Sequence, residues 1–247
     1  MYLLRYSPVF RIKNYTFNVS DSTNHDKLLS DLKNFYAQTT IAGKFLGDNN
    51  LLAWNAPVQD FLKTHPQLKE LIIKRDFLKR EVFIEAKDRK QFGIWCAEIS
   101  PSMTEINATS SQETSSSSQC FWFDEDGVAF QEAPIVESEI FYRVKDLSGQ
   151  PINLGDKIIS EMLIPNLKKI FQLLESANIN TKTVSITDLT LEEVRVDSVS
   201  DPKMFFSLRF DPTFALNAID SLKKSGQWNK ISYINFTVEN RAYYKLK

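Results

Sequence analysis

The chain has 247 residues, 43% of them hydrophobic, which is ample for a buried core and suits two small domains better than one. A net charge of −1 supplies no general field to gather nucleic acid, and the seven glycines form no phosphate-cradling loop. Two cysteines and two histidines are poor provision for a zinc site, and no run of about 18 apolar residues offers a membrane span.

Met1-Tyr2-Leu3-Leu4 is apolar, then meets Arg5, and lacks the parts of a signal peptide. It reads as an ordinary cytosolic start or as the outer end of a membrane anchor absent from this chain. Phe10 to Val19 predicts a strand, with Phe10 and Ile12 on one phase and Tyr15, Phe17 and Val19 on the other. The phase switch near Lys13-Asn14 predicts a bulge or twist. A helix follows, with Leu28, Leu32 and Phe35 on one face and Leu29 and Tyr36 beside it. Thr40 to Asn50 reads as a loop. Pro57 suits the first helical position after an Asn55 cap, Val58, Phe61 and Leu62 form a short buried stripe, and His65-Pro66 stops the helix. Leu68 to Arg75 and Arg80 to Lys87 read as strands. In the second, Val82, Ile84 and Ala86 face one way and Phe83, Glu85 and Lys87 the other. The order is β-α-α-β-β over about 80 residues, with helices covering one face of a small sheet.

Beyond residue 88 the pattern is richer in strands. Phe92 to Ile99 and Cys120 to Asp124 read as a hairpin whose enlarged tip, residues 100–119, is Ser-rich and expected to be exposed and flexible. Phe121 to Phe130 reads as aromatic strand, acidic turn and apolar strand, with Asp126-Gly127 as the hairpin signal. Glu139 to Val144 is a predicted strand. Lys157 to Ala177 is helical, with Ile159, Leu163, Leu167, Ile170 and Leu174 on one face and Pro165 as a kink or the start of its better half. Strand-like runs lie around Val184-Ile186 and Val194-Val196 and over Met204 to Phe210. Thr213 to Lys224 is a helix that Gly226 ends. Ile231 to Val238 and Arg241 to Lys247 form a last hairpin around Glu239-Asn240. The fold class is therefore α+β: residues 10–88 form a β-α-α-β-β domain and residues 89–247 a sheet-rich domain with flanking helices, after a short leading segment, 1–9.

No catalytic set is recognisable, so the chain reads as a binding or scaffold protein and not an enzyme, with no cofactor. The Asp124-Glu125-Asp126-Gly127 turn is not a calcium loop, because position twelve from Asp124 is Ile135 and not a bidentate acid. His25 and His65 have no nucleophile in a recognisable elbow and read as surface or capping residues. The glycosylation-like triplets at Asn14, Asn18, Asn107 and Asn235 read as chance matches. Cys96 and Cys120 face each other if their two strands pair. They are then either a disulfide, worth about 3 kcal/mol outside the cytoplasm, or two free, half-buried thiols. Lys69, Lys74, Arg75, Lys79 and Arg80 gather cations on two neighbouring strands. They read as a solvated sheet edge, or as a contact for acidic lipid headgroups or an acidic partner segment. The last hairpin carries the main functional expectation. Ile231, Tyr233, Ile234, Phe236, Val238, Tyr243 and Tyr244 make it apolar and aromatic, and an open edge accepts a partner strand through main-chain hydrogen bonds.

Ser7-Pro8-Val9-Phe10-Arg11-Ile12, Pro66 to Lys87, Asp124 to Phe130, and Ile234 to Lys245 occur in an order and spacing that resembles the extracytoplasmic part of the bacterial cell-division family FtsQ (DivIB). The resemblance covers nearly the whole chain. It implies a POTRA-like domain over 10–88 behind a juxtamembrane-like segment, followed by the FtsQ-type β domain. It implies a non-enzymatic divisome scaffold that binds FtsB, in a complex with FtsL, and helps control septal peptidoglycan synthesis. The location it implies is the extracytoplasmic face of the cell membrane at the septum, through a single-pass anchor not present in this chain. The chain departs from the family pattern at Asn235 and Thr237, where the family has Asp and Arg, and at Phe210-Asp211-Pro212, where a Gly usually precedes the helix. Two other classes compete. A POTRA-bearing component of envelope protein assembly or secretion calls for a barrel or a repeated module, and no internal repeat is visible. A cell-wall hydrolase calls for two convincingly paired carboxylates, which the sequence does not offer.

Overall fold

The computed structural model describes residues 7–20, 24–98, 118–135 and 140–247. The fold is α+β, and the chain divides into two compact units, Met1–Arg89 and Lys90–Lys247. Among the described residues no helix is long and apolar enough to cross a membrane.

In the first unit, strand β1 (Asn14–Val19) is followed by helices α1 (His25–Thr39), α2 (Ile41–Leu46) and α3 (Gln59–Thr64), then by strands β2 (Leu68–Asp76) and β3 (Glu81–Asp88). The sheet order is β1-β3-β2, with β1 parallel and β2 antiparallel to β3. Two-residue alternation decides the faces. Val82, Ile84 and Ala86 are buried with Leu71, and Tyr15, Phe17 and Val19 pack against the same cluster. Helix α1 is capped by the Asn24 side chain, which accepts from the Lys27 amide, and it buries Leu28, Leu32 and Tyr36.

The expected strand from Phe10 begins only at Asn14, because Ile12 is tied to Asn49 and the chain before it is a turn joined to Asn50 by an isolated bridge at Arg11. The expected loop Thr40 to Asn50 contains α2. The Thr40 hydroxyl accepts from the Gly43 amide and donates to the Tyr36 carbonyl, so one residue ends α1 and starts α2. A Cβ at Gly43 would lie 1.9 Å from that carbonyl, which reserves the position for glycine. Asn55 is not a helix cap. The third helix starts after Val58 without a side-chain cap, and Asn55 instead accepts from Arg75 at 3.0 Å.

The second unit is built on a nine-stranded mixed sheet. Its strands are β4 (Gly93–Glu98), β5 (Ser118–Phe123), β6 (Ala129–Glu132), β7 (Arg143–Asp146), β8 (Thr183–Ile186), β9 (Glu193–Val196), β10 (Lys203–Ser207), β11 (Ile231–Phe236) and β12 (Tyr243–Leu246). They lie in the order β12-β11-β10-β9-β8-β7-β4-β5-β6. Helical crossovers explain two of the three parallel pairs: α4 (Ile164–Ser176) joins β7 to β8, and α5 (Phe214–Lys224) joins β10 to β11, while β7 reaches its parallel place beside β4 after the β5–β6 excursion. Leu167, Ile170, Phe171 and Leu174 of α4 and Ala215 and Ile219 of α5 share one cluster with Val144, Val184, Val196, Phe206, Ile234 and Phe236. The two helices therefore cover one face of the sheet.

Pro165 stands in the first turn of α4, so the helical stretch begins at Ile164 and not at Lys157. The strand expected at Glu139 to Val144 runs instead from Arg143 to Asp146, because these four residues are the ones in register with both β4 and β8. Of the expected Ser-rich loop, residues 100–117 lie outside the described residues, as does Ile99 of the strand before it, while Ser118 and Gln119 belong to β5. At the acidic turn, Gly127 has φ +77° and its Cα comes so close to Ile159 that a Cβ would be 2.5 Å from the carbonyl oxygen. Asp124 is buried, and its carboxylate accepts from the Asp126 and Val128 amides. Its charge is spent on holding the turn.

Cys96 and Cys120 are cross-strand partners and form a disulfide, so the reading as free thiols is overturned. Both are buried, with Ile94, Trp122 and Phe130, on the sheet face away from the helices. Reduction, or Cys96→Ser with Cys120→Ser, is expected to lower the second unit's stability by about 3 kcal/mol in the chain-entropy account. Denaturant unfolding with and without reductant measures this; coincident curves contradict it.

Tyr15 and Tyr36 in the first unit are both pushed up to about 12, first by burial. The phenol of an unfolded chain ionises near 10. Stability from keeping these groups neutral is therefore full below pH 10 and is lost as pH rises from 10 through 12. Tyrosinate absorbance and first-unit circular dichroism are expected to change together in that window.

Candidate strand-addition edge

The last hairpin starts from a sequence constraint. Strand β11 places Ile231, Ile234 and Phe236 towards the helices, all within 1% of full burial. Phe236 stacks on Phe206 at 5.1 Å and meets Phe214 edge-on at 6.1 Å. Of the residues expected to bind a partner, these three are therefore core residues. The strand is paired on both sides, parallel to β10 and antiparallel to β12, so its main chain is not available either. The hairpin offers an open edge on its outer strand alone, so only β12 and not β11 meets the expectation of an accessible edge.

Strand β12 is that outer strand. Tyr243, Tyr244 and Leu246 are 47–54% exposed, and Tyr233 and Val238 are 37% and 44% exposed. Val238 lies in the connecting turn and not on a strand. Registers sort the side chains. Asn235 pairs with Tyr243 and Phe205, and Tyr233 pairs with Lys245 and Lys203. Phe205, Tyr233 and Tyr243 thus share the face away from the helices, and the rings of Phe205 and Tyr233 meet edge-on at 6.1 Å. Tyr244 pairs with the core residue Ile234 on the other face, and its hydroxyl donates to Gln227 at 3.4 Å.

The hairpin is fixed at both ends. Asn240 takes a left-handed φ of +57° in the turn, and the Arg241 amide donates to the Val238 carbonyl. At the other end the Lys247 amide donates to the Lys230 carbonyl at 2.8 Å. Asn235 and Thr237 serve each other: Asn235 Oδ1 accepts from the Thr237 amide at 2.8 Å and from its hydroxyl at 2.7 Å. This polar pair is consumed within the hairpin and is not presented outward.

The two borders of the sheet differ. Beyond the start of β6 the segment 155–158 is bonded on: the Gly155 amide donates to the Ala129 carbonyl, the Ala129 amide to Asp156, and the Ile158 amide to Gly127. Beyond β12, no main-chain partner exists among the described residues. The first unit has borders too, but β2 presents charged Lys69, Glu70 and Lys74 and β1 presents Asn14, Thr16 and Asn18, the kind of polar border that discourages pairing. Strand β12 carries two tyrosines and a leucine with one cation, and it is the least defended of these borders.

The other sequence candidates fall elsewhere. His25 stacks on Phe17, and His65, the C-cap of α3, stacks on Phe61 with Nε2 3.4 Å from Asp31. They do not meet at a common site. Among the described residues no group of three or more His, Cys, Asp or Glu side chains is arranged to hold a metal ion. The signal missed in the sequence was Asp211. Its carboxylate accepts from the Thr213 amide and hydroxyl at the start of α5 and from Lys169 of α4 at 2.6 Å, and these bonds hold it down at about 2. Asp-x-Thr ahead of an apolar helix was the available clue. Compared with known proteins, the chain matches no family model and no curated protein.

The division between core and edge is measurable. Ile234→Ala is expected to cost about 2–5 kcal/mol of second-unit stability and Tyr243→Ala under about 0.5 kcal/mol. Similar costs for both in chemical denaturation would contradict the assignment of faces.

Proposed function

We propose that the chain is a non-enzymatic scaffold of the bacterial division machinery, of the FtsQ (DivIB) kind, and that it captures an FtsB-like partner, in complex with FtsL, by adding the partner's strand to β12. On this reading it works at the extracytoplasmic face of the cell membrane at the septum and helps control septal peptidoglycan synthesis. The observation that carries the proposal is that β12 is the terminal strand of the sheet, with an exposed sequence of two tyrosines, a lysine and a leucine and, among the described residues, a main chain bonded on one side only. Main-chain pairing gives such an edge its affinity, and the alternation of side chains such as Tyr243 and Tyr244 along it gives it selectivity.

Three further features support the reading. The β-α-α-β-β order of the first unit, with α2 inserted, and its β1-β3-β2 sheet suit the POTRA-like expectation. The motif segments at Asp124 to Phe130 and Ile234 to Lys245 are both hairpins of the second unit. The Cys96–Cys120 disulfide suits an oxidising compartment.

The test follows from the burial pattern. Removing residues 231–247 would strip Ile231, Ile234 and Phe236 from the core and unfold the unit, so the informative truncation removes only 242–247. Titration with the extracytoplasmic tail of FtsB is expected to show binding to the full chain and a loss of roughly tenfold or more on truncation, the worth of one or two main-chain hydrogen bonds. Hydrogen exchange is expected to slow at alternate amides of Tyr243–Leu246 when the tail is bound. Equal binding by both forms, or protection confined to other strands, would defeat the edge model.

A further inference from the structure

The turn joining β2 to β3 displays apolar side chains in a way the core does not require. Phe77 is 42% exposed and Leu78 97% exposed. Neither is loosely held. Asp76 Oδ1 accepts from the Leu78 amide at 3.0 Å and the Lys79 amide at 2.9 Å, and Arg80 takes a left-handed φ of +57° that closes the turn. The main chain thus holds a leucine and a phenylalanine out in water in the turn at one end of the three-stranded sheet.

Cations surround them. Lys74 and Lys79 are exposed on either side of the pair. The Arg75 guanidinium lies 5.6 Å from the Phe77 ring and donates to Asn55, and Arg80 donates to the Pro8 carbonyl at 2.7 Å. Lys13, also exposed, joins the same end of the unit through its amide, which donates to the Arg80 carbonyl at 2.8 Å. Against these stand two nearby carboxylates. Asp76 is engaged by the turn amides and lies 3.9 Å from Lys79, and Glu81 accepts from Thr16. Phe83 continues the apolar surface down the open sheet face beside Thr16 and Lys74.

We propose that this tip docks the first unit on an anionic phospholipid bilayer, with Phe77 and Leu78 entering the interface and Lys74, Lys79 and Arg80 meeting lipid phosphates. A projecting apolar tip matches the headgroup–acyl boundary, which accepts apolar groups to a depth of about 5–10 Å. Cations a few residues behind it stand level with the phosphate layer. A protein groove would demand a complementary concave partner for each projecting side chain; a bilayer does not. The net positive ring supplies the charge complementarity, with each Lys or Arg near an anionic surface worth roughly fivefold in binding. The proposal concerns the first unit and is independent of strand addition to β12.

The test uses the full chain and vesicles of equal parts phosphatidylglycerol and phosphatidylcholine, with pure phosphatidylcholine vesicles as the comparison. Co-sedimentation with the anionic vesicles is expected, weakening as salt rises. Lys74→Gln with Lys79→Gln is expected to weaken it about 25-fold. Phe77→Ser with Leu78→Ser is expected to weaken it at least tenfold while leaving the thermal unfolding curve in place, since both side chains are at the surface. A polarity-sensitive dye on Leu78→Cys, coupled without reductant so that the native disulfide stays closed, is expected to shift to the blue with anionic vesicles. No co-sedimentation, co-sedimentation unchanged by Phe77→Ser with Leu78→Ser, or equal binding to the two vesicle types would overturn the proposal. So would binding to an acidic polypeptide such as polyglutamate without binding to vesicles. Titration with the FtsB tail reads the other unit, so either result can fail alone.

Discussion

Burial of Ile234 and Phe236 against the helices is the constraint on which the second unit's architecture turns. Helix α5 connects two parallel strands, so β11 must return beside β10, and its apolar residues then close the core under Phe206 and Phe214. Once β11 is committed to the interior, β12 has one place to go, antiparallel on its outer side. A strand that faces water because its neighbour is needed elsewhere is an edge by necessity. The identity of its residues then decides whether that edge is defended or receptive.

The core and the edge answer to different physics. In the interior of the second unit a polar pair is held together: Trp95 Nε1 donates to the buried Asp146 carboxylate at 3.1 Å, and Asp146 also accepts from the Ser148 amide. Leaving either partner of such a pair alone would cost on the order of 1–3 kcal/mol. At β12 the tyrosine hydroxyls make only long contacts, to Gln227 and Arg241, and half of each ring is in water. Little is lost when such a side chain is repacked against another chain.

How much was legible follows from period and punctuation. The alternation of Val82, Ile84 and Ala86, the Asp126-Gly127 turn, the Gly226 helix stop and the last hairpin were readable because each rests on a local rule that tertiary packing did not override. The helix at Ile41–Leu46 was not, because six residues carry too little period, and the Thr40 hydroxyl that starts it looks like any loop threonine. Phe35 and Tyr36 exchanged expected roles. Both lie on the inward side of α1, and it is Tyr36 that stacks on Trp54, a partner distant in sequence. The candidate site was legible as a hairpin but not as a single strand. Which of two paired strands lies outermost depends on β10, nearly thirty residues upstream, and no local pattern reports it.

The unequal borders of the nine-stranded sheet set a rule for self-association. A stack in which β12 of one molecule meets β6 of the next would grow without limit, and the backbone of residues 155–158 lies across the start of that path. Like can still meet like: two β12 strands pairing antiparallel about a twofold axis would consume both open borders and stop at two copies. Any foreign strand that occupies β12 therefore also ends the molecule's capacity to pair with itself, and capture of a partner and self-pairing become mutually exclusive states of one surface.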